Sequence, residues 1–381
     1  MPKLRIEVRP GPLAVQVTDR LAQLDKGARW VTRVVRQEEV DSGAARIASL
    51  KREETADRQT GSTGLGASPA VARRAAAGGE TGGRHEVATP GTEDPPGIGS
   101  RPGSVAPRIS GAPETTTPSV DDLPGLAVFV IGDDPADPDL DVVLSTDLPL
   151  DDQLDRLWRH RIEPMARFLS GETGPPSPKA VLREHDPRYR VIADRLLRRL
   201  RSGLSQQGIA DGTWTFDHIG STSVPDLAAK PYVDLQLGVD PLPEEESPFD
   251  AVLAAAGFLP ARGARADSPG VYRDTVKDPG LAPDDAYRKR LYVRPDPGGP
   301  AVLHVRRLGS PWWSYTVLFR DWLRAGPAGR RAYEATKLRL AQAHADDPDY
   351  DDYTRAKAAF FTEVQEKYER LGAASAYRVR R

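Results

Sequence analysis

The chain has 381 residues, 39% of them hydrophobic, with no cysteine and a formal net charge of −2 at pH 7. That length exceeds the usual single domain, and the missing cysteine excludes disulfides, thiolate catalysis and a cysteine zinc site. The near-neutral charge gives no global electrostatic case for nucleic acid or a membrane surface, and no apolar run is long enough to span a bilayer. A small-molecule or protein partner in the cytoplasm is the expected setting.

In residues 1–56, Leu4, Ile6 and Val8 alternate and predict a strand over 3–8, a second strand is predicted over 29–35, and the segment 13–24 between them predicts a helix. Residues 57–121 are rich in Gly, Pro, Ser and Thr and carry few large apolar side chains. So little burial cannot offset ordering entropy, which predicts a disordered linker and the first site of proteolysis. Its GSTGLG string is followed by no Gly-Lys-Ser/Thr and preceded by no strand, so it does not read as a phosphate loop. Residues 122–170 predict two strands, 125–132 and 139–145. An amphipathic helix over 150–169 follows, with Leu154, Leu157, Trp158, Ile162, Met165 and Phe168 at helical spacing.

The stretch GETGPPSP (171–178) marks a domain boundary. After it the pattern predicts a helix opening near Asp186-Pro187 and strands in TWTFDHIGS and YVDLQLGV. A helix in FDAVLAAAGF, strands in YRKRLYVRP and AVLHVRRL, and helices over 311–325, 328–345 and 349–371 complete the order. Strands first and helices last imply an α+β domain with a mixed sheet. The small α/β module interrupted by the linker precedes it. A fragment beginning near Pro178 is expected to fold alone, since the core strands and closing helices all lie after it.

Three separated stretches carry the chemistry. The first, 218–237, contains His218, Ile219, Gly220, Ser221, Thr222, Val224, Pro225, Leu227, Lys230, Pro231 and Asp234; His304 lies on a later strand; Phe319, Arg320, Asp321, Leu323 and Arg324 form the third. In this order the pattern resembles the GrpB (UPF0157-like) family of the nucleotidyltransferase superfamily, which includes DNA polymerase β, over about 179–371. Separately, residues 125–170 weakly resemble the last strand and helix of dephospho-CoA kinases, whose phosphate loop GxxxxGK[ST] occurs nowhere in this chain.

The family resemblance implies a nucleotidyltransferase-like mixed sheet with flanking helices and a C-terminal helical bundle, an NTP substrate or ligand, and Mg2+. Gly220 and Ser221 would then form a phosphate turn, where glycine permits close backbone approach and free N–H groups bind anions. Asp234 would be the catalytic carboxylate and metal ligand. Gln236, two residues on and on the same strand face, would be an uncharged second ligand where the superfamily normally has an acid. His218, Thr222, Lys230, His304, Arg320, Lys337 and Lys357 complete the phosphate-binding candidates. Each has a plainer alternative: a packed histidine at 304, a surface lysine at 230, and Arg320 paired with Asp321. Only ten of the 53 basic residues are lysine, so Lys337 and Lys357, at positions where the family also has lysine, stand out. Asp226 replaces the family's glycine and Val302 the first histidine of its His-Leu-His-Val strand, and both departures weaken an activity. The readings are therefore Mg2+-dependent nucleotidyl transfer to an unknown acceptor, a binding module for a nucleotide or CoA-like ligand, or an accessory protein whose N-terminal region engages a protein partner.

Overall fold

A computed structural model describes residues 4–25, 31–36, 126–169, 172–173, 181–261, 270–276, 280–347, 351–365 and 367. The linker expected at 57–121 lies outside the described residues. The described residues all fall in one compact unit. The described chain is a mixed α+β protein.

The first sheet is parallel, in the order β2 (Val31–Arg36), β1 (Leu4–Val8), β3 (Leu126–Gly132) and β4 (Val142–Val143). Helix α1 (Ala14–Leu24) and the 150–169 helix bury Val17, Leu21, Leu154, Ile162 and Met165 against Ile6, Phe129 and Ile131. The predicted helix over 150–169 forms as α2 (Leu150–Leu157) and α3 (Glu163–Leu169), joined through a π-helical turn at Trp158–Ile162. The strand expected over 139–145 contracts to two paired residues. Its earlier carbonyls are taken by arginines: Arg195 donates to Leu140 O at 2.7 Å and Arg199 to Asp139 O.

The second sheet runs β5 (Thr215–Ile219), β6 (Val233–Val239), β9 (Ala301–Arg307), β8 (Lys289–Arg294) and β7 (Leu259–Pro260). Only the β6–β9 pair is parallel. Side chains alternate across β6. Val233, Leu235, Leu237 and Val239 meet α4 (Arg188–Gln206) and α5 (Pro248–Ala255) in one core. Asp234 and Gln236 therefore project from the opposite face, where Asp234 pairs with Val302 and Gln236 with His304 on β9. Helix α6 (Pro311–Ala325) lies on this polar side, its Trp313 carbonyl accepting from Gln236 at 3.0 Å. Helices α7 (Pro327–Ala343) and α8 (Asp351–Glu363) join α6 in an aromatic core of Phe319, Tyr333 and Phe360 that also buries Val224 and Leu227. The closing bundle thus covers the turn after β5. Asp226 in that turn has φ 59°, a left-handed conformation that glycine adopts without cost.

Candidate functional site

Strand β5 ends at Ile219, and Gly220 turns the chain with φ 68° into a single 3-10 turn, Ser221–Ser223. Ile219 pairs with Asp234, so the turn begins directly beside that aspartate. A methyl group added to Gly220 would overlap the Asp234 carboxylate. Glycine is needed here for both backbone angle and space. Gly220→Ala is expected to cost about 2 kcal/mol through the left-handed backbone and the overlap, read as a shift of the denaturant midpoint at unchanged m-value.

Three lysines from three elements converge on Asp234. Lys230 comes from the segment before β6, Lys337 from α7 and Lys357 from α8, and each acts electrostatically on the Asp234 carboxyl. Tyr353 lies under two of the ammoniums, 5.4 Å from Lys230 Nζ and 5.6 Å from Lys357 Nζ to the ring centre. Lys337, 2% exposed, is 4.9 Å over the Tyr333 ring. Its ammonium donates to Ser221 Oγ at 3.1 Å and to the Ala228 carbonyl. Such cation–π contacts keep the lysines ordered.

The charge states follow from burial and mutual repulsion. Burial, reinforced by Lys357, brings Lys337 down to about 7 and Lys230 to about 8. Burial also lowers Lys357. Asp234 is raised above the ordinary carboxylate range by burial, although all three lysines act in the opposite direction. Three lysines act on Asp234, with Glu334 also acting on Lys337, so bases outnumber acids in the cluster, and repulsion among the lysines is relieved when an anion enters.

The remaining sequence candidates take supporting positions. Thr222 Oγ1 is 3.1 Å from His218 Nε2, and burial with Arg324 and Arg320 nearby holds His218 at about 3, so the imidazole is neutral. Arg320 donates to the His218 carbonyl at 2.9 Å and to Asp321 Oδ1 at 2.7 Å, while Arg324 donates twice to the Ser223 carbonyl. The arginines brace the turn from outside and pair with acid, in line with the plainer alternative for Arg320. Gln236 is fully buried, and its carbonyl oxygen accepts from Arg306 and from Thr316 Oγ1, both at 2.8 Å. An amide oxygen has two lone pairs, so both are used inside the protein.

Four groups escaped the sequence reading. Tyr333 on α7 supports Lys337, and a buried set of Lys289, Arg306 and Asp274 surrounds His304. Lys289 Nζ lies 3.1 Å from Asp274 Oδ1, and Arg306 Nε 2.7 Å from Asp274 Oδ2. Lysine scarcity was the available signal for Lys289: Lys230, Lys289, Lys337 and Lys357 are four of the ten lysines in the chain.

Residues 179–367 match the sequence profile of the GrpB protein family. A UPF0157 protein of Streptomyces coelicolor is 35% identical over 201 residues, which are 53% of this chain and 89% of that protein. The chain belongs to the GrpB family. It is also similar to a dephospho-CoA kinase of Mycolicibacterium paratuberculosis, 31% identical over 218 residues that make up 55% of this chain and 50% of that kinase. This GrpB protein spans about half the length of the dephospho-CoA kinases it matches. The crystal structure of a conserved GrpB protein from Enterococcus faecalis aligns with 50% of this chain and 99% of its own at 22% identity and a TM-score of 0.33. No helix among the described residues of this GrpB protein is long and apolar enough to cross a membrane.

Proposed function

We propose that the GrpB domain of this chain is a non-catalytic binding module for a phosphorylated ligand, either a nucleotide or a CoA-like molecule. The observation that carries this reading is the convergence of Lys230, Lys337 and Lys357 on Asp234 beside the Gly220–Ser221 turn. Compact ammonium charges on three elements suit a phosphate with several oxygens better than a single carboxylate. The Gly220–Ser221 turn, which begins beside the Asp234-bearing strand, supports phosphate as the group bound.

The donor set does not fit Mg2+. Magnesium is held by clustered oxygen ligands, whereas Asp234 is surrounded by lysines, Gln236 has no lone pair to offer and Val302 is its apolar neighbour on β9. No group of three His, Asp or Glu able to hold a metal occurs among the described residues. A divalent cation would add two charges to a site already too positive. This misfit is why binding, rather than Mg2+-dependent nucleotidyl transfer, is the role assigned to the pocket.

The name of the half-matching kinases makes dephospho-CoA and CoA the natural probes, alongside ATP and inorganic phosphate. Calorimetric titration of the full chain with these compounds in EDTA is expected to show salt-sensitive binding by at least one. Lys357→Gln should weaken it about tenfold, roughly 1.4 kcal/mol, without changing the melting temperature appreciably. Binding that strictly requires Mg2+, or none with any probe, would overturn the reading.

A further inference from the structure

The face of the second sheet that presents Asp234 also presents His304, which pairs with Gln236 two β6–β9 pairings along from the Asp234–Val302 pair. Its Nδ1 is 3.1 Å from Lys289 Nζ and 3.2 Å from an Arg306 guanidinium nitrogen. Ammonium and guanidinium groups have only protons to give, so Nδ1 accepts and the single ring proton must sit on Nε2. An imidazolium would set a third cation against two others. Burial together with Lys289, Arg306 and Lys357 accordingly holds His304 well below the ordinary histidine value, so the ring is neutral.

The two donors are themselves fixed. Asp274 takes Lys289 on Oδ1 at 3.1 Å and Arg306 on both oxygens at 2.7 and 3.0 Å, and a third Arg306 nitrogen donates to Gln236. These residues are nearly sealed, with Lys289 4%, Arg306 3% and Asp274 7% exposed, whereas His304 is only partly buried. A buried charged network is costly, and its retention needs a reason beyond stability. Here its effect is to dictate which nitrogen of a partly buried histidine carries the proton. Lys357 of the anion pocket is near enough to act on that ring.

We propose that His304 is a neutral hydrogen-bond donor to the anion held by the lysines, with Lys289, Arg306 and Asp274 as positioning residues that lock its Nε2–H tautomer. This rests on the phosphate-binding reading. A neutral donor adds directionality without further positive charge beside lysines whose values burial, with repulsion from Lys357, already lowers. It accepts nothing at Nε2, so it favours an unprotonated phosphate oxygen over a protonated one.

Two variants separate the ring nitrogens. His304→Gln extends an amide to the Nε2 position and keeps a donor there, whereas His304→Asn places its amide at the Nδ1 position and loses the donor. Titrated with inorganic phosphate in the full chain, the Gln variant is expected to bind within about threefold of wild type and the Asn variant about tenfold more weakly. Long-range 1H–15N spectra of wild-type His304 at pH 7 should show the Nε2–H tautomer, a readout that requires no variant to fold. An Nδ1–H or doubly protonated ring would overturn the proposal. Wild type that binds phosphate no better than His304→Asn removes the histidine's role alone. Wild type with no phosphate affinity removes the phosphate reading and this role with it.

Discussion

Replacing Asp141 by alanine is expected to destabilise the chain by about 3–5 kcal/mol, the cost of leaving buried charge unpaired. The Asp141 side chain is fully sealed and meets Arg199 at 2.8 Å, Arg195 at 3.2 Å and Arg294 at 3.3 Å, while accepting the Val130 N–H at 3.0 Å. Arg294 is shared with Asp296, which also holds Arg161 through two bonds of 2.9 and 2.7 Å. Asp141 and Arg161 come from the N-terminal module, whereas Arg195, Arg199, Arg294 and Asp296 come from the C-terminal domain. The network is therefore a charged join between the parallel sheet and the GrpB domain. A fragment from residue 178, expected from sequence to fold alone, lacks Asp141 and so leaves Arg195 and Arg199 without this partner. It should melt well below the full chain. Equal melting of fragment and full chain, or an Asp141→Ala variant within 1 kcal/mol of wild type by chemical denaturation, would show the join to be dispensable.

The same network fixes the acid response. Arg199, Arg294 and Arg195 hold Asp141 below the ordinary carboxylate range against the opposing effect of burial; Arg294 and Arg161 do so for Asp296, and Arg306 and Lys289 for Asp274. A carboxyl depressed in the folded state contributes stability that is complete above its unfolded value, about 3.9, and is lost as pH falls from there through the folded value. Stability should therefore hold from pH 7 to about 5 and fall steeply below 4. Asp141→Asn should flatten that fall.

Much of this architecture was legible because it rests on apolar periodicity. The alternation in YVDLQLGV correctly placed Asp234 and Gln236 on one face, and the spacing of helices 311–325 and 328–345 gave the bundle to within two residues of Pro311–Ala325 and Pro327–Ala343. The π turn at Trp158–Ile162 was not legible, since a shift of backbone partners leaves the apolar stripe unchanged. Nor was the short β7, where Pro260 interrupts strand signals. At the site, local chemistry was readable and long-range partnership was not. Gln236 looked like an available oxygen because Arg306 and Thr316, which occupy it, lie 70 and 80 residues away. Lys289 and Arg306 went unremarked in the sequence because nothing local announces that Asp274 draws them inward.

Asp234→Asn should distinguish the two chemistries through the sign of its effect. If the aspartate held a metal, loss of its charge would abolish metal-dependent ligand binding. In the lysine pocket its carboxylate instead repels an incoming phosphate and partly neutralises the ammoniums that attract it. The near-isosteric amide is therefore expected to tighten phosphate binding about thirtyfold, close to 2 kcal/mol, at low salt and pH 7. Part of that gain is offset because Asp234 raises Lys230, Lys337 and Lys357. Without it Lys337, already brought to about 7, gives up its proton more readily. The tightening should thus be greatest near pH 6 and fade above pH 8 as the lysines discharge. The sign for stability is equally definite. Asp234 is raised in the folded state, so its ionised form at pH 7 opposes folding, and the variant should melt no lower than wild type. Titration of inorganic phosphate into both proteins at pH 6, 7 and 8.5, with EDTA throughout, reads the effect directly. Weaker binding by Asp234→Asn at all three pH values would place the aspartate among the groups that hold the ligand.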